Sequence, residues 1–144
     1  MASKRVLDAI RCGVRVKLED GAQMRSRFAS TLLISALRSF LESNLDCQIS
    51  LEDVAYLLGR EKSNCSKFFR HSTGTSFSNW ERRIRIRKAK TLLRTEQAVS
   101  SVAVAVGYRD ITTFERNFRR SEGVSPTAFR RLQSRVPAGA EQPH

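Results

Sequence analysis

The sequence has few histidines and cysteines, and this scarcity removes the residues that most metal and catalytic sites need. The only histidines are His71 and His144, and the three cysteines are widely spaced without a Cys-x-x-Cys pair. A histidine metal cluster, a Ser-His-Asp triad, a cysteine zinc site and a disulfide framework are therefore not supported. Glycine-rich phosphate loops are missing too. We expect no enzyme and no cofactor, with Cys47 and Cys65 as small, reduced core residues.

Long apolar runs and negative charge are also scarce. No run approaches the roughly 18 to 20 residues of a membrane span, and the N-terminus lacks the apolar stretch of a signal peptide. The sequence therefore predicts no membrane partner and a cytoplasmic, nucleoid-associated location. Lys and Arg number 26 against 14 Asp and Glu, which gives a net charge of +12. Because 40% of the residues are hydrophobic, the chain can bury a core, and we expect it to bind a polyanion.

The sequence pattern divides the chain into three parts. Residues 1–30 form a basic N-terminal lead whose structure the pattern does not assign, and residues 134–144 are predicted to be a flexible tail. The central part, residues 31–133, opens with a helix whose predicted start is capped by Ser30 or Thr31. Its buried stripe is predicted to contain Leu33, Leu37, Phe40, Leu41 and Leu45.

Two short helices follow, joined by a tight turn. Ser50-Leu51-Glu52-Asp53 matches the capping-box pattern, and Gly59 follows the apolar stripe where a helix would stop. A second helix is predicted to end at Thr73-Gly74. The pattern predicts a helix-turn-helix at about 50–74, followed by a basic linker helix at about 77–94. For the arginines of that linker, three roles remain open: solvated surface, phosphate contact and a surface for RNA polymerase.

The first helix-turn-helix is repeated further along the chain. Five positions recur 48 residues later and six more recur 49 residues later, which predicts a second helix-turn-helix at about 99–122. The predicted fold is therefore all-α, with two tandem helix-turn-helix subdomains joined by a linker helix. The two second helices would read one face of a duplex if their centres lay about 34 Å apart, one turn of DNA. A linker helix of roughly 27 Å is compatible with that spacing. The repeated positions are Leu51, Val54, Ala55, Leu58, Gly59, Lys67, Phe69, Arg70, Gly74, Ser76 and Trp80, matched by Val99, Val102, Ala103, Val106, Gly107, Arg116, Phe118, Arg119, Gly123, Ser125 and Phe129.

The second half of the chain contains the run Val102-Ala103-Val104-Ala105-Val106-Gly107-Tyr108-Arg109-Asp110, followed by Phe114, Arg116 and Phe118. This pattern resembles the signature of the AraC/XylS transcription regulators. That signature reads I-A-x-x-V-G-F-x-D-x-S-x-F-x-R-x-F, followed by G-x-x-P-x-x-Y/F-R, and the similarity covers roughly residues 31–133. It implies a seven-helix domain that places two recognition helices in successive major-groove segments of promoter DNA and activates or, less often, represses transcription. We expect an activator. The matching residues are Val102, Ala103, Val106, Gly107, Tyr108, Asp110, Thr112, Phe114, Arg116, Phe118, Gly123, Pro126, Phe129 and Arg130, with Arg85, Ala89, Leu92 and Leu93 matching the linker pattern R-x-x-x-A-x-x-L-L.

The chain departs from the family pattern in its first recognition helix and in its length. Glu61, Cys65 and Lys67 stand where the family usually has a capping Ser, a Leu and an Arg. We therefore expect a poorly capped helix start and a smaller core there. Many family members carry a separate sensor domain, for which 144 residues leave no room. The prediction is a short standalone regulator with no small-molecule effector.

Candidate DNA contacts of the first unit lie between Cys65, Phe68 and Phe69, which are expected to be buried. By the family pattern Ser63, Ser66 and Lys67 would face bases, and Lys67 suits a guanine edge. Phosphate contacts are the expectation for Lys62 and Arg70. The candidate set is Lys62, Ser63, Asn64, Ser66, Lys67 and Arg70.

In the second unit Arg116 is the strongest candidate for a base or phosphate contact. Ile111 or Thr113 suits a thymine methyl group, and Thr112 is predicted to cap the helix. Glu115 either accepts from a cytosine amino group or, as we favour, pairs with Arg119 at i+4. The candidate set is Ile111, Thr112, Thr113, Glu115, Arg116 and Arg119.

The aromatic residues have helical spacing and obey the repeat, so we predict that they form the core instead of stacking on bases. They are Phe69, Trp80, Phe114, Phe118 and Phe129. Tyr108 is expected to plug the core with a hydrated hydroxyl. Two other classes fit the charge or the fold: a nonspecific nucleic-acid-binding helical protein, and a module that sequesters another regulator. Double-stranded promoter DNA is the expected partner, with RNA polymerase as a second candidate.

Overall fold

The computed structural model describes residues 26–58 and 60–135, with side chains described for 30–56 and 60–135. These residues form α-helices and no strand. Most of the predicted lead, the expected helix stop at Gly59 and residues 136–144 of the predicted tail lie outside the described part. No helix in the described ranges is long and apolar enough to cross a membrane. The described ranges contain seven helices: α1 Ser26–Ser43, α2 Leu51–Leu58, α3 Lys62–Thr73, α4 Phe77–Leu92, α5 Val99–Ala105, α6 Ile111–Glu122 and α7 Pro126–Ser134.

The chain forms two compact units that divide within α4. Unit 1 ends at Ile84 and unit 2 begins at Arg85. Unit 1 contains α1, α2, α3 and the first half of α4, whereas unit 2 contains the second half of α4 together with α5, α6 and α7. The predicted all-α fold with a helix-turn-helix in each half is confirmed.

Helix α1 begins earlier than its sequence pattern suggested. The first described helical residue is Ser26, so Ser30 and Thr31 lie inside the helix and cannot cap it. That prediction was wrong because the apolar stripe marks the buried face and not the full length of the helix. Leu33, Leu37 and Leu41 are buried as expected, and Leu45 is buried just beyond the end of the helix.

The predicted capping box at the start of α2 is present. The Asp53 backbone N–H donates to Ser50 Oγ at 3.1 Å, and the Ser50 backbone N–H donates to Asp53 Oδ2 at 2.8 Å. Ser50 Oγ also donates to the same carboxylate oxygen. Two backbone donors that the helix itself cannot satisfy are thereby paired, which fixes the residue at which α2 begins.

Aromatic rings fill the core of each unit, as predicted. In unit 1 the Phe69 ring lies 5.2 Å from Phe77 and 5.1 Å from Trp80, both edge to face. In unit 2 Phe118 packs between Phe114 and Phe129, with centroids at 5.8 and 5.5 Å. Such pairs contribute about 0.5–1.5 kcal/mol each beyond their buried area, so the rings stabilise the units and none is free to stack on bases.

The sequence repeat is also a repeat of backbone geometry. Gly74 and Gly123 end α3 and α6 at φ values of 75° and 77°, a left-handed conformation that favours glycine. After each glycine a serine caps the next helix: Ser76 Oγ accepts from the Asn79 N–H at 3.3 Å, and Ser125 Oγ accepts from the Ala128 N–H at 3.2 Å. Both units therefore leave the second helix by the same turn.

Arg85 of the basic linker helix is buried inside unit 2. Its side chain is only 5% exposed, and Nη1 donates to the Val106 carbonyl at 2.8 Å. Val106 precedes Gly107, whose φ of 90° turns the chain from α5 toward α6. Arg85 therefore holds the turn of the second helix-turn-helix against α4. It has none of the three roles considered for the linker arginines, namely solvated surface, phosphate contact and a surface for RNA polymerase.

Two further cations of unit 2 have structural partners. Lys90 forms an ion pair with Glu122 at 2.8 Å, and its ammonium group lies 5.6 Å from the centroid of the Phe129 ring. Arg130 Nε donates to the Leu93 carbonyl at 3.1 Å, just beyond the last residue of α4. These contacts join α4 to α6 and α7.

Candidate nucleic-acid interface

In unit 1 the candidate surface is the face of α3 that points away from the core. Cys65 and Phe69 are fully buried on one side of the helix, so the helical period places Lys67 on the other. Ser63, Asn64, Lys67 and Arg70 are exposed, as predicted. Ser66 is half-buried and has less of its surface available to a ligand.

Lys62, the sixth candidate of this helix, already has an acidic partner. Its ammonium group lies 2.7 Å from Glu52 Oε1 on α2, and both side chains are 61% exposed. An exposed pair of this kind stabilises a fold by at most about 1 kcal/mol, so it is easily exchanged for another anion. Lys62 therefore ties α3 to α2 in the structure as it stands.

Phe68 is not the core residue that its sequence position suggested. It is half-exposed, and the Arg60 guanidinium lies over its ring, 5.0 Å from the centroid. The expectation failed because an apolar residue beside Phe69 looks like part of the same stripe, although only Phe69 faces inward. Sequence reasoning missed Arg60 altogether. A shallow hollow of about 470 Å³ opens here, lined by Arg60, Asn64, Lys67, Phe68 and His71.

The start of α3 lacks a side-chain cap, as the departures from the family pattern suggested. Glu61 occupies the capping position with φ −69° and ψ 150°, but its carboxylate accepts no capping hydrogen bond. One turn further on, the Cys65 thiol is buried, and burial raises its pKa although the Arg60 charge acts in the opposite direction. The cysteine therefore remains a neutral core residue.

In unit 2 the corresponding surface is the outward face of α6. Phe114 and Phe118 are fully buried, and Arg116 projects from the opposite side of the helix. The other predicted contacts are exposed, except that Thr113 is half-buried. The exposed members of the set are Ile111, Thr112, Glu115, Arg116 and Arg119.

Helix α6 is capped by Asp110 and not by Thr112. The Asp110 carboxylate accepts from the Thr112 N–H at 3.0 Å and from the Thr113 N–H at 2.9 Å, and the Thr113 hydroxyl also donates to it. These hydrogen bonds, above all the one from the Thr113 hydroxyl, lower the pKa of Asp110. The prediction for Thr112 was wrong because this residue lies two positions past the N-cap, inside the helix, where its side chain does not cap the first backbone donors.

Glu115 and Arg119 do not form the predicted i+4 ion pair. Across the part of the chain that the structure describes, the side chains of these two residues and of Arg116 have no hydrogen bond or ion pair to another described residue. An exposed helix pair is worth only about 0.2–0.5 kcal/mol, too little to hold both side chains in one geometry. Three charged groups of α6 are therefore available to an external partner.

Tyr108 closes the turn before α6 partly as predicted. Its ring packs 5.3 Å from the centroid of Phe114, while its hydroxyl accepts a hydrogen bond from Asn117 Nδ2 at 3.4 Å. The hydroxyl expected to meet water thus has a protein partner.

Each unit therefore presents the second helix of a helix-turn-helix, with aromatic or thiol groups inward and polar or cationic groups outward. These features define a tandem helix-turn-helix domain of the DNA-binding class. A protein-family model described as a helix-turn-helix domain matches residues 54–132, more than half of the chain. The chain belongs to the AraC/XylS family of transcription regulators.

Individual relatives agree with this assignment. The transcriptional regulator RipA of Corynebacterium glutamicum is 36% identical over 94 residues, which cover 65% of this chain and 28% of RipA. The transcriptional activator NphR of a Rhodococcus species is 31% identical over 105 residues, covering 72% of this chain and 31% of NphR. The chain thus spans about a third of the length of these curated relatives.

A solved DNA complex has the same fold. The DNA-binding domain of AdpA, a global transcriptional factor determined in complex with a target DNA, matches with a TM-score of 0.64 at 29% identity. The match covers 70% of this chain and 93% of the AdpA domain.

Proposed function

We propose that this chain regulates transcription by binding a specific site in double-stranded promoter DNA, with α3 and α6 each entering a major-groove segment. One observation carries the proposal: the side chains of Arg116 and Arg119 are exposed on the outward face of α6 and have no hydrogen-bond or ion-pair partner among the described residues. An arginine so placed can donate two hydrogen bonds to a guanine edge or to a phosphate. The AdpA domain, which has the same fold, was solved on its target DNA.

The proposed contacts of α6 follow from their positions on this face. Arg116, which points straight away from the core, contacts a base edge or a phosphate, and Arg119 contacts the DNA backbone. Ile111 and the methyl group of Thr113 suit a thymine methyl group, since the Thr113 hydroxyl is engaged by Asp110. Glu115, free of Arg119, accepts from a cytosine amino group, and Thr112 lies beside it on the same exposed surface.

Helix α3 supplies the second set of proposed contacts. Lys67 reads a guanine edge as a single charge, which gives less geometric selectivity than an arginine. Arg70 and, after exchange of its Glu52 partner, Lys62 contact phosphates. The smaller polar residues complete the set: Ser63, Asn64 and the half-buried Ser66.

The sign of regulation is proposed to be positive, because the relative NphR is a transcriptional activator. We propose RNA polymerase as a second partner, and exposed cations on the second half of α4 offer a surface for it. These are Arg87 and Lys88. Binding to promoters would place the protein on the nucleoid.

The proposal is tested by selecting bound duplexes from a random pool and measuring affinities on the selected site. Arg116→Ala should weaken binding about 5- to 150-fold, the equivalent of the roughly 1–3 kcal/mol of a well-placed base contact, and relax preference at one position. Arg131→Ala removes the same charge from an exposed position of α7 and serves as the matched control. Equal, sequence-independent losses in both variants would contradict the assignment of Arg116.

The same experiment separates this function from nonspecific nucleic-acid binding, which the net charge of +12 also favours. A promoter regulator should bind its site at least about 10³-fold more tightly than random duplex. If all duplexes bind alike and only salt changes the affinity, the nonspecific function is the correct one.

A further inference from the structure

In each unit, a residue of the turn contacts a residue of the second helix at equivalent positions of the repeat, but the residue types differ between the two units. In unit 2, Tyr108 in the turn contacts Asn117 on α6 through a hydrogen bond of 3.4 Å. The positions 48 and 49 residues earlier are Arg60 and Phe68, and they too contact each other, with the guanidinium 5.0 Å from the ring centroid. Both residues of the contact therefore differ between the units. Unit 2 has a neutral pair joined by a hydrogen bond, whereas unit 1 has a pair that carries the positive charge of Arg60.

The Arg60–Phe68 pair forms part of the wall of the shallow hollow described above. Two basic side chains, Arg60 and Lys67, line it together with the Asn64 amide, the Phe68 ring and the His71 imidazole. No acidic side chain is among the lining residues. Arg60, Asn64, Lys67 and His71 are exposed, and none has an ion pair with another residue of the described ranges. The hollow therefore suits an anion.

Its position on α3 indicates which anion. A helix about 10–12 Å across nearly fills a major groove about 12 Å wide, so the middle of its outward face meets base edges and its flanks meet the sugar–phosphate backbones. Lys67 lies in the middle of that face. Phe68 is the next residue, about 100° around the helix, which puts the Arg60–Phe68 pair on one flank.

We propose that this hollow holds a phosphodiester of the bound duplex, with Arg60 as the donor to the phosphate and Phe68 as a positioning residue that keeps the guanidinium at the flank. The inference rests on the proposed DNA-binding function and extends it to a residue in the turn before α3. Stacking on the ring restricts the guanidinium without consuming its N–H donors, so the group is oriented before DNA arrives. The Tyr108–Asn117 pair of unit 2 supplies no such charge.

The salt dependence of binding to the selected site gives the first test. Arg60→Gln should weaken binding severalfold on every duplex, keep the base preference, and reduce the slope of log affinity against log salt by about 0.9, the value of one phosphate contact. Phe68→Leu should weaken binding in the same direction, and Phe68→Tyr should restore it because the ring returns. Arg38→Gln, which removes an exposed charge from α1 of the same unit, is the matched control.

A single neutral linkage locates the phosphate. Methylphosphonates are placed one at a time along the duplex, and the penalty at each is measured for wild-type protein and for Arg60→Gln. One linkage should weaken wild-type binding and leave Arg60→Gln unaffected. Circular dichroism checks that the variants are folded.

The outcomes separate this inference from the function on which it rests. If wild-type protein shows no site preference, the DNA-binding proposal fails and this inference fails with it. A second outcome leaves site preference and the Arg116→Ala effect intact, but every methylphosphonate weakens Arg60→Gln as much as it weakens wild-type protein. In that case no linkage is the partner of Arg60, and only the assignment of the hollow is overturned. A slope as little changed by Arg60→Gln as by Arg38→Gln would overturn it equally.

Discussion

Replacing Arg85 by methionine should destabilise unit 2 more than any other removal of a single charge from α4. The side chain is 5% exposed, and its Nη1 donates to the Val106 carbonyl at 2.8 Å, immediately before the left-handed Gly107. Methionine fills much of the same volume but cannot donate. The Val106 carbonyl would lose its charged partner, while the aliphatic packing of the arginine stem would largely remain.

The expected loss follows from that geometry. A hydrogen bond from a charged donor contributes about 1.5–3 kcal/mol, and a buried acceptor left unsatisfied costs about 1–3 kcal/mol. Both ranges describe the loss of the same hydrogen bond, one for the charged donor and one for the carbonyl left without a partner, so they are not added together. We therefore expect Arg85→Met to lower the free energy of unfolding by about 2–3 kcal/mol.

Urea unfolding provides the measurement, with two signals that separate the units. Far-UV circular dichroism follows all helices, whereas the single tryptophan, Trp80, lies in unit 1 and reports on that unit. Arg87→Met is the matched control, because Arg87 is an exposed cation two residues further along the same helix. Its effect should stay within about 0.5 kcal/mol. If Arg85→Met and Arg87→Met unfold at the same urea concentration, the buried guanidinium does not support the turn and the reasoning is refuted.

Two further predictions concern the helix caps. Glu61→Asp should raise the stability of unit 1 by about 1 kcal/mol, because the shorter carboxylate can cap α3 as Asp110 caps α6; Trp80 fluorescence in urea measures it, and a result no better than Glu61→Ala would contradict it. Asp110 has a folded-state pKa below its ordinary range, so its contribution to stability is present above the ordinary aspartate pKa and is lost as the pH falls through the lower folded value. Acid titration of wild type against Asp110→Ala should therefore show a stability difference that is constant near neutrality and shrinks in acid; a difference unchanged by acid would exclude the charged cap.

The features that sequence reasoning located correctly depend on neighbours in the chain. The Ser50–Asp53 capping box, the stop at Gly74 and the buried faces of α3 and α6 each involve residues within one or two helical turns. Their hydrogen bonds and helical period are local, so a sequence pattern contains nearly all of the relevant information. The repeat then transfers the register of one unit to the other, which is why the exposed faces of both candidate helices could be predicted.

The features that were missed depend on contacts between distant or competing residues. The burial of Arg85 requires the Val106 carbonyl 21 residues away, which no local pattern reveals. Thr112 lost its predicted role because Asp110, two residues earlier, offers a carboxylate to the same backbone donors. Phe68 lies on the flank of α3, where it contacts Arg60 from the preceding turn. A position-by-position comparison of the two repeats would have indicated this contact, because Asn117 and not an apolar residue occupies the equivalent position of unit 2.

The distribution of partners also changes what the net charge of +12 means for binding. In unit 2, Arg85 is committed to the Val106 carbonyl, Lys90 to the Glu122 carboxylate and Arg130 to the Leu93 carbonyl, so their charges hold the fold together. A cation that is engaged in such a contact does not neutralise a DNA phosphate and therefore releases no counterion from the duplex. The salt dependence of binding reports the number of phosphate contacts and not the net charge of the protein. The basic character of the linker helix therefore overstates its share of the interface. The charge that we assign to DNA lies on the outward faces of α3 and α6 and, in unit 1 alone, on the Arg60–Phe68 pair at the flank of α3, whereas exposed cations of α4 such as Arg87 remain available to another partner.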